Sequence, residues 1–471
     1  MKSKILFISL AVVLALSVGL IGCDGGGSAI PTEPAKLIIS LARDTDEALS
    51  VFDELAAGPV YREFVRYVNE DLGGVYLSEY DATKQLELDV REFTVAPWNL
   101  GDITTGIIDD IETGDSHFLW GGPGTDSVYT QAPIANAANV VLFTLEGGAT
   151  GIANDPNKLA VWPYVFINLS YSDWNELPVV APMLEEALGV GKGEVTAYVV
   201  YIDGEHGDEY LATSEAHFDV VGTAEIPFDP TALDADEVIL SAIAAYNSTP
   251  FDLFCGFAYY DHVMDLTASV HTVVHGSYGM LNPEAMIFGP GANFGGYAFN
   301  FPNPISPNPA LVEGVMGFAT ASYNQTSENI TAVFDLIAAR LDVEDPTGFG
   351  VPGIALLDYW GIPCYWAGME MWLDAVEDVG YVDQELLRDT LAGFETTPTT
   401  TILGDTWYRM YGSPGYGGGN LDYICHTGEV GQWQSAVLEI VGNSTITTSL
   451  PNYIATGNFA LMKDAWGWLP P

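Results

Sequence analysis

From residue 36 onward the chain alternates short apolar runs with amphipathic stretches, and it does so twice. That alternation limits the possible folds more than any motif does. The first round reads as strands over 36–41, 86–95, 116–120 and 140–144, with helices over 58–71, 103–112 and 132–138. In the first helix, Val60, Tyr61, Phe64, Val65 and Val68 share one face at helical spacing, and Gly73-Gly74 ends it. The second round has helices over 183–188, 209–217, 235–246 and around 263–274, between strands over 195–202, 218–221, 253–257 and 285–288. Apolar strands separated by helices are expected to be parallel and covered on both faces. The expected fold class is α/β, with two Rossmann-like doubly wound lobes.

Breaker-rich stretches divide the rounds. Residues 147–157 form one, and 300–309 (NFPNPISPNP) form another with four prolines. Helical patterns follow over 328–341, 359–379 and 383–392. The chain then turns β-like over 400–403, 408–411 and 432–441, around a Gly-rich 412–419. The expected division is a leader over 1–22, a tether over 23–35, and lobe one over 36–165 and 299–395. Lobe two takes 166–298 and 396–450, and 451–471 is a C-terminal extension.

Asp and Glu number 63 against 14 Lys and Arg, a formal charge of −49, yet only 16% of residues are charged and 48% are apolar. The apolar share excludes disorder for the bulk of the chain. Nothing here neutralises phosphates, which excludes nucleic acid as a partner, and anionic membrane surfaces are disfavoured as well.

At the N-terminus, Lys2 and Lys4 precede an apolar run over 5–20 that ends in Leu20-Ile21-Gly22-Cys23. A basic start, an apolar core and small residues before a cut describe a secretory signal. A cysteine directly after Leu-Ile-Gly resembles the bacterial lipobox, which implies lipidation of Cys23. The expected location is therefore extracytoplasmic, anchored to the outer face of the cytoplasmic membrane. Asp24-Gly25-Gly26-Gly27-Ser28 reads as a flexible tether. No later segment reaches the ~18 uninterrupted apolar residues of a membrane span. Cys255, Cys364 and Cys425 remain, enough for one disulfide and an odd thiol, and spacing does not choose the pair.

Several stretches, in order, resemble the type I periplasmic binding proteins, the branch with the Leu/Ile/Val-binding and amide-binding receptors of ABC transporters. They are Asn69-Glu70-Asp71-Leu72-Gly73-Gly74-Val75, the run from Phe118 to Thr125 (FLWGGPGT), and Val140 to Thr144 with Glu146-Gly147-Gly148. Further on come Val199 to Asp203 with His206-Gly207, then Phe288-Gly289-Pro290-Gly291 and Gly295 to Phe299. Asp374-Ala375, Gly380 and Asp383 follow, and Gly404 to Tyr408 and Gly431 to Gln434 complete the series. The resemblance spans about residues 36–442 and implies two lobes joined by three hinge crossings, with the ligand held between them.

Carried over position by position, the resemblance places Thr125 and the turn Glu146, Gly147 and Gly148 at the ligand in lobe one, with Phe52 where an aromatic often stacks. Lobe two would offer His206, Tyr259 and Gly291. Ligands of open α/β sheets sit beyond the carboxyl ends of the strands, where free N–H groups at helix N-termini hold anions. Many amino-acid receptors of this family carry a small residue at the Glu146 position and a carboxylate near Gly291. Here the acid is on Glu146, which would favour a cation or amide N–H donors. His206 stands where the family commonly has Tyr.

Asp261-His262 with Asp265, and His271 with His275, have metal-like spacing, but they fall on one outer helix with no evident third ligand, so no metal or other cofactor is expected. Trp360, Trp366, Met369, Met371 and Trp372 read as core. No nucleophile elbow, phosphate loop, zinc-protease helix or dinucleotide turn is present, so no enzyme is expected. The resemblance implies a lipid-anchored solute-binding protein that hands a small polar solute to an ABC permease. The rival readings are a ligand sensor of the same fold, a structural surface lipoprotein and a secreted hydrolase.

Overall fold

The structure is a computed structural model. It describes residues 30–44, 53–93, 96–121, 124–145, 147, 149–153, 155, 157–168, 177–274, 281, 283–300, 308, 311–322, 328–346, 348, 350–394, 396–407, 430–435, 437–442 and 461–462. The signal segment, Cys23, Phe52, Glu146, Gly148, His275 and Cys425 lie outside these residues.

Strand β1 (Leu37–Asp44) leads through helix α1 (Gly58–Arg66) to a short hairpin, β2 (Val75–Leu77) and β3 (Ala82–Lys84). β4 (Leu86–Phe93), α2 (Ala96–Thr113), β5 (Phe118–Gly121), α3 (Thr125–Ala138), β6 (Leu142–Thr144) and β7 (Val165–Ile167) follow. β4, β1, β5, β6 and β7 form one sheet in that order, parallel throughout. Strand periodicity sorts its side chains. Leu41, Trp120 and Phe143 enter one core, while Ala42, Leu119 and Leu142 enter another with Val128 and Ile107. Both faces are therefore covered, which is why these strands read as apolar runs.

The second round runs α4 (Leu177–Leu188), β8 (Thr196–Ile202), α5 (Glu205–His217), β9 (Asp219–Ile226), α6 (Ala235–Ser248), β10 (Leu253–Ala258), α7 (Tyr260–Val274) and β11 (Ala285–Pro290). After it come β12 (Met316–Phe318), α8 (Glu328–Glu344), α9 (Gly361–Val379), α10 (Gln384–Gly393) and a hairpin of β13 (Thr399–Thr401) and β14 (Gly404–Thr406). β15 (Val430–Gln434) and β16 (Val437–Gly442) end the series. The second sheet has the order β16-β15-β12-β11-β10-β8-β9; the β12–β15 and β15–β16 pairings are antiparallel and the rest parallel.

The lobes exchange chain at other places than the sequence predicts. β7 lies in the first sheet and crosses the 165/166 boundary. β12 lies in the second sheet, although the sequence places 299–395 in lobe one. The β13–β14 hairpin stays on lobe one beyond residue 395, where Ile402 N–H donates to Glu370 on α9 at 2.7 Å and Thr399 bonds Asp374. Each departure involves a strand of three residues, too short for periodicity to register. Among the described residues, the strands of the first sheet end with β7, those of the second run from β8 to β12, and β15 and β16 rejoin the second sheet after α8, α9 and α10. α9 anchors the later chain to lobe one: Trp372 stands edge-on to Trp120 (5.1 Å between ring centroids) and Phe118 (4.9 Å), and Trp366 packs on Phe64 (5.2 Å). Cys255 and Cys364 are buried and are not joined in a disulfide.

Candidate functional site

β5 and β8 both run straight into a helix, and both turns use a glycine with positive φ as the helix cap. These are Gly124 (φ 91°) before α3 and Gly204 (φ 143°) before α5. Neither N-terminus is capped by a side chain. Helix starts are where backbone N–H groups are offered as donors. The two starts face each other across the lobes. Asp126 on α3 lies against Gly204, and further along Tyr129 Oη donates to Glu209 Oε1 on α5 at 3.0 Å. Tyr129 Oη also accepts from Gly151 N–H at 2.8 Å, so one phenol links the second lobe-one turn to lobe two.

In lobe one, Thr125 is the first residue of α3 and is buried. Its Oγ1 accepts from Ala149 N–H at 3.4 Å. Gly147, also with positive φ, packs so closely on the Gly124 carbonyl and Val128 that a Cβ there would collide with both. The structure thus brings Thr125 and Gly147 together at the carboxyl ends of β5 and β6. Glu146, Gly148 and Phe52, expected beside them, lie outside the described residues.

In lobe two, His206 is the second residue of α5, and its Nδ1 shares a 3.1 Å hydrogen bond with Tyr259 Oη at the end of β10. The His206 ring lies 4.9 Å from that of Phe257, and burial lowers its pKa to about 3, so the imidazole is neutral. Gly291 has no Cβ where one would meet the Tyr259 backbone and Val263. His206, Tyr259 and Gly291 therefore form one cluster. His262, read as part of a metal-like pattern, hydrogen-bonds the Pro227 carbonyl through Nε2 at 3.0 Å. Among the described residues no group of three or more His, Cys, Asp or Glu side chains has metal-binding geometry.

Sequence reasoning missed Asp126, Tyr129, Glu209, Gln131 and Thr144. Asp126 has a raised pKa, mainly from burial and then from Glu205 and Asp203 across the lobes. Gln131 and Thr144 are fully buried. Both amide atoms of Gln131 and Oγ1 of Thr144 lack a hydrogen-bond partner. Both side chains flank Gly121, where a Cβ would touch them. A buried polar residue on the inner face of α3, at 131 after 125 and 128, was the available signal. Only the pairing of strand ends shows what it faces.

No protein-family model and no curated protein matches the chain. Solved structures do. A solute-binding protein of an ABC transporter from R. palustris, in complex with benzoate, is 14% identical with a TM-score of 0.61, over 89% of this chain and 100% of that one. A leucine-binding protein from Thermotoga maritima is 14% identical with a TM-score of 0.56, over 87% and 99%. An ABC transporter substrate-binding protein from Sphaerobacter thermophilus is 13% identical with a TM-score of 0.62, over 90% and 99%. The fold is that of the type I periplasmic solute-binding proteins.

Proposed function

We propose that the chain captures a small polar solute between its two lobes and delivers it to an ABC permease, without turning it over. The observation that carries this reading is the pair of uncapped helix starts, at Gly124 and Gly204, which meet where the carboxyl ends of both parallel sheets converge. Solutes bind at that position in open α/β sheets, and a site made by two lobes couples ligand contact to closure.

Thr125, Gly147, Gln131 and Thr144 serve the ligand from lobe one, and His206, Tyr259 and Gly291 serve it from lobe two. Neutral His206 supplies one donor or acceptor and an aromatic wall rather than a charge. The lipobox-like Leu20-Ile21-Gly22-Cys23 supports lipid anchoring at Cys23 and an extracytoplasmic location. The test is a thermal-shift screen of the purified protein against leucine, isoleucine, benzoate, 4-hydroxybenzoate, short amides and polyamines. A ligand at about 100 times its dissociation constant stabilises by about 2.7 kcal/mol. A shift with one class, and recovery of that compound unchanged, supports capture without turnover. A compound recovered cleaved overturns it.

A further inference from the structure

Away from the helix starts, the lobes meet along a second seam. The turn after β11 lies against the segment leading into α9: Gly295 N–H donates to the Leu357 carbonyl at 2.7 Å and Tyr359 N–H to that of Asn293 at 3.2 Å. Thr320, beyond β12, adds its N–H to the Tyr359 carbonyl (3.0 Å) and its hydroxyl to that of Trp360 (3.0 Å). In the middle of this seam sit Asn293 and Asp358, both fully buried. Asn293 Nδ2 donates to Asp358 Oδ1, which also accepts from Trp360 N–H at 2.9 Å. The remaining oxygens, Asp358 Oδ2 and Asn293 Oδ1, have no partner at full hydrogen-bond geometry, although the Gly361 N–H also acts on the carboxyl.

Two planar groups are joined by one hydrogen bond, and each keeps an oxygen without a partner at full geometry. We propose that Asp358 and Asn293 are a proton-operated clamp between the lobes: protonated Oδ2 donates to Asn293 Oδ1, closing a two-bond acid–amide ring, and release of that proton to solvent opens the ring and loosens the seam. The ring satisfies both bare oxygens at once, whereas the ionised carboxylate sets two acceptors against each other in a dry site, which is costly.

No charge competes for control. Residues 290–300, 350–366 and 430–434 around Asp358 contain no other Asp, Glu, Lys, Arg or His, while α7, packed on the turn that holds Asn293, carries Asp261, His262 and Asp265, none of which acts on the Asp358 carboxyl. Residues 311–322 contain only Glu313, whose carboxylate is tied to Ser435 N–H. The other titratable groups there are Tyr297, Tyr359, Tyr365 and Cys364, neutral at ordinary pH. Burial pushes the Asp358 carboxyl up to about 6, against the opposing pull of the Gly361 and Trp360 N–H groups and Asn293. The clamp therefore works in the range where proton occupancy falls about tenfold per pH unit above that value.

Asp358→Asn replaces the protonated acid with an amide that donates to Asn293 Oδ1 at every pH. Melting curves and small-angle scattering of wild type and variant are compared between about pH 3.5 and pH 8. The expected result is that the two are matched at the acid end, while toward pH 8 the wild type melts lower and scatters as a more open particle. Other acids with raised pKa values, Glu370 among them, are common to both proteins and cancel in the difference. A variant destabilised equally across the range, with unchanged scattering, overturns the clamp and leaves Asp358 as an ionised cap of α9. Should Asp358→Asn fail to fold, Asn293→Asp tests the same ring. Two carboxyls sharing a proton must move the opening midpoint upward, and an unmoved midpoint overturns the proposal.

Discussion

The two lobes share an architecture and differ in how charge is handled. Every ion pair among the described residues belongs to lobe one. Arg62 and Arg340 hold Glu344 and Glu63 between α1 and α8, Arg91 joins Asp89 to Asp110, and Arg43 holds buried Asp53. Between residues 177 and 322, Lys192 is the single Lys or Arg, against nineteen Asp and Glu. Lobe two is thus a largely parallel sheet on an apolar and aromatic core under a surface of like charge, with no ion pair among the described residues to offset the repulsion. The same fold tolerates both because burial, rather than ion pairing, supplies most of the driving force.

The strongest way to break this comparison is to cut the core on which lobe two depends. Phe254 on β10 is fully buried, edge-on to Phe288 at 5.5 Å. Phe254→Ala is expected to cost about 3–5 kcal/mol. Hydrogen exchange should then speed up through β8–β11 while β1–β7 keep their protection. Uniform acceleration would show that the lobes unfold as one unit. The matching cut in lobe one is ionic: Arg43→Met strands the Asp53 carboxylate, which is 1% exposed. Losing one partner of a buried pair costs about 3 kcal/mol, at the low end of the usual range because the Arg43 side chain is 20% exposed. Denaturant melts would read it, and a loss below about 1 kcal/mol would make the pairs decorative.

Acid should separate the lobes by sign. Burial raises Glu370 of lobe one to about 7 from 4.5, while it accepts from Ile402 N–H and Trp366 Nε1. The folded state keeps a proton that the unfolded chain has lost. Its contribution is therefore full below pH 4.5 and fades as pH rises through about 7. His206 of lobe two is lowered to about 3 from 6.5, so its contribution is full above pH 6.5 and is lost as pH falls toward 3. Melting temperatures should show Glu370→Gln gaining on wild type above neutrality, by up to about 2 kcal/mol. His206→Asn should gain at the acid end. Parallel profiles for both variants would remove the contrast.

A smaller effect tests the unequal share of the site. Gln131→Leu removes a buried amide that has no partner, so the ligand-free protein should be unchanged or more stable while ligand affinity falls by about 1–2 kcal/mol. Thr125→Ala should weaken binding by a similar amount, by calorimetry, with little change in melting. If Gln131→Leu melts lower and binds equally well, the amide is structural.

Most of this fold was legible because it rests on periodicity. Helix α10 was bounded almost to the residue: Asp383 caps it by accepting from Glu385 and Leu386 N–H, a short-range pattern that sequence carries. Strands β7 and β12 were not legible, since three residues have no period. The site divides in the same way. Thr125, His206 and Tyr259 come soon after strands and were named through the family resemblance, which aligns strand ends. Tyr129 and Glu209 each lie a full turn into a helix, and their meeting depends on the angle between lobes, which no local pattern encodes.

The smallest effect sharpens the comparison most, because it asks whether exposed charge matters at all. Lys36 and Glu87 form an ion pair on lobe one with both side chains nearly half exposed. Water and salt screen such a pair, so Lys36→Met should change stability by less than about 1 kcal/mol. Sodium chloride should then act oppositely on the two lobes. It weakens the Arg and Lys pairs of lobe one slightly, and it relieves the surplus of acids in lobe two more, because repulsion among many like charges adds up where single exposed pairs contribute little. Site-resolved exchange at low and high salt should show protection rising in β8–β11 and flat or falling in β1–β5. A rise of equal size in both would mean that the ion pairs of lobe one leave it as repulsive as its neighbour, and the contrast in charge would carry no energetic weight.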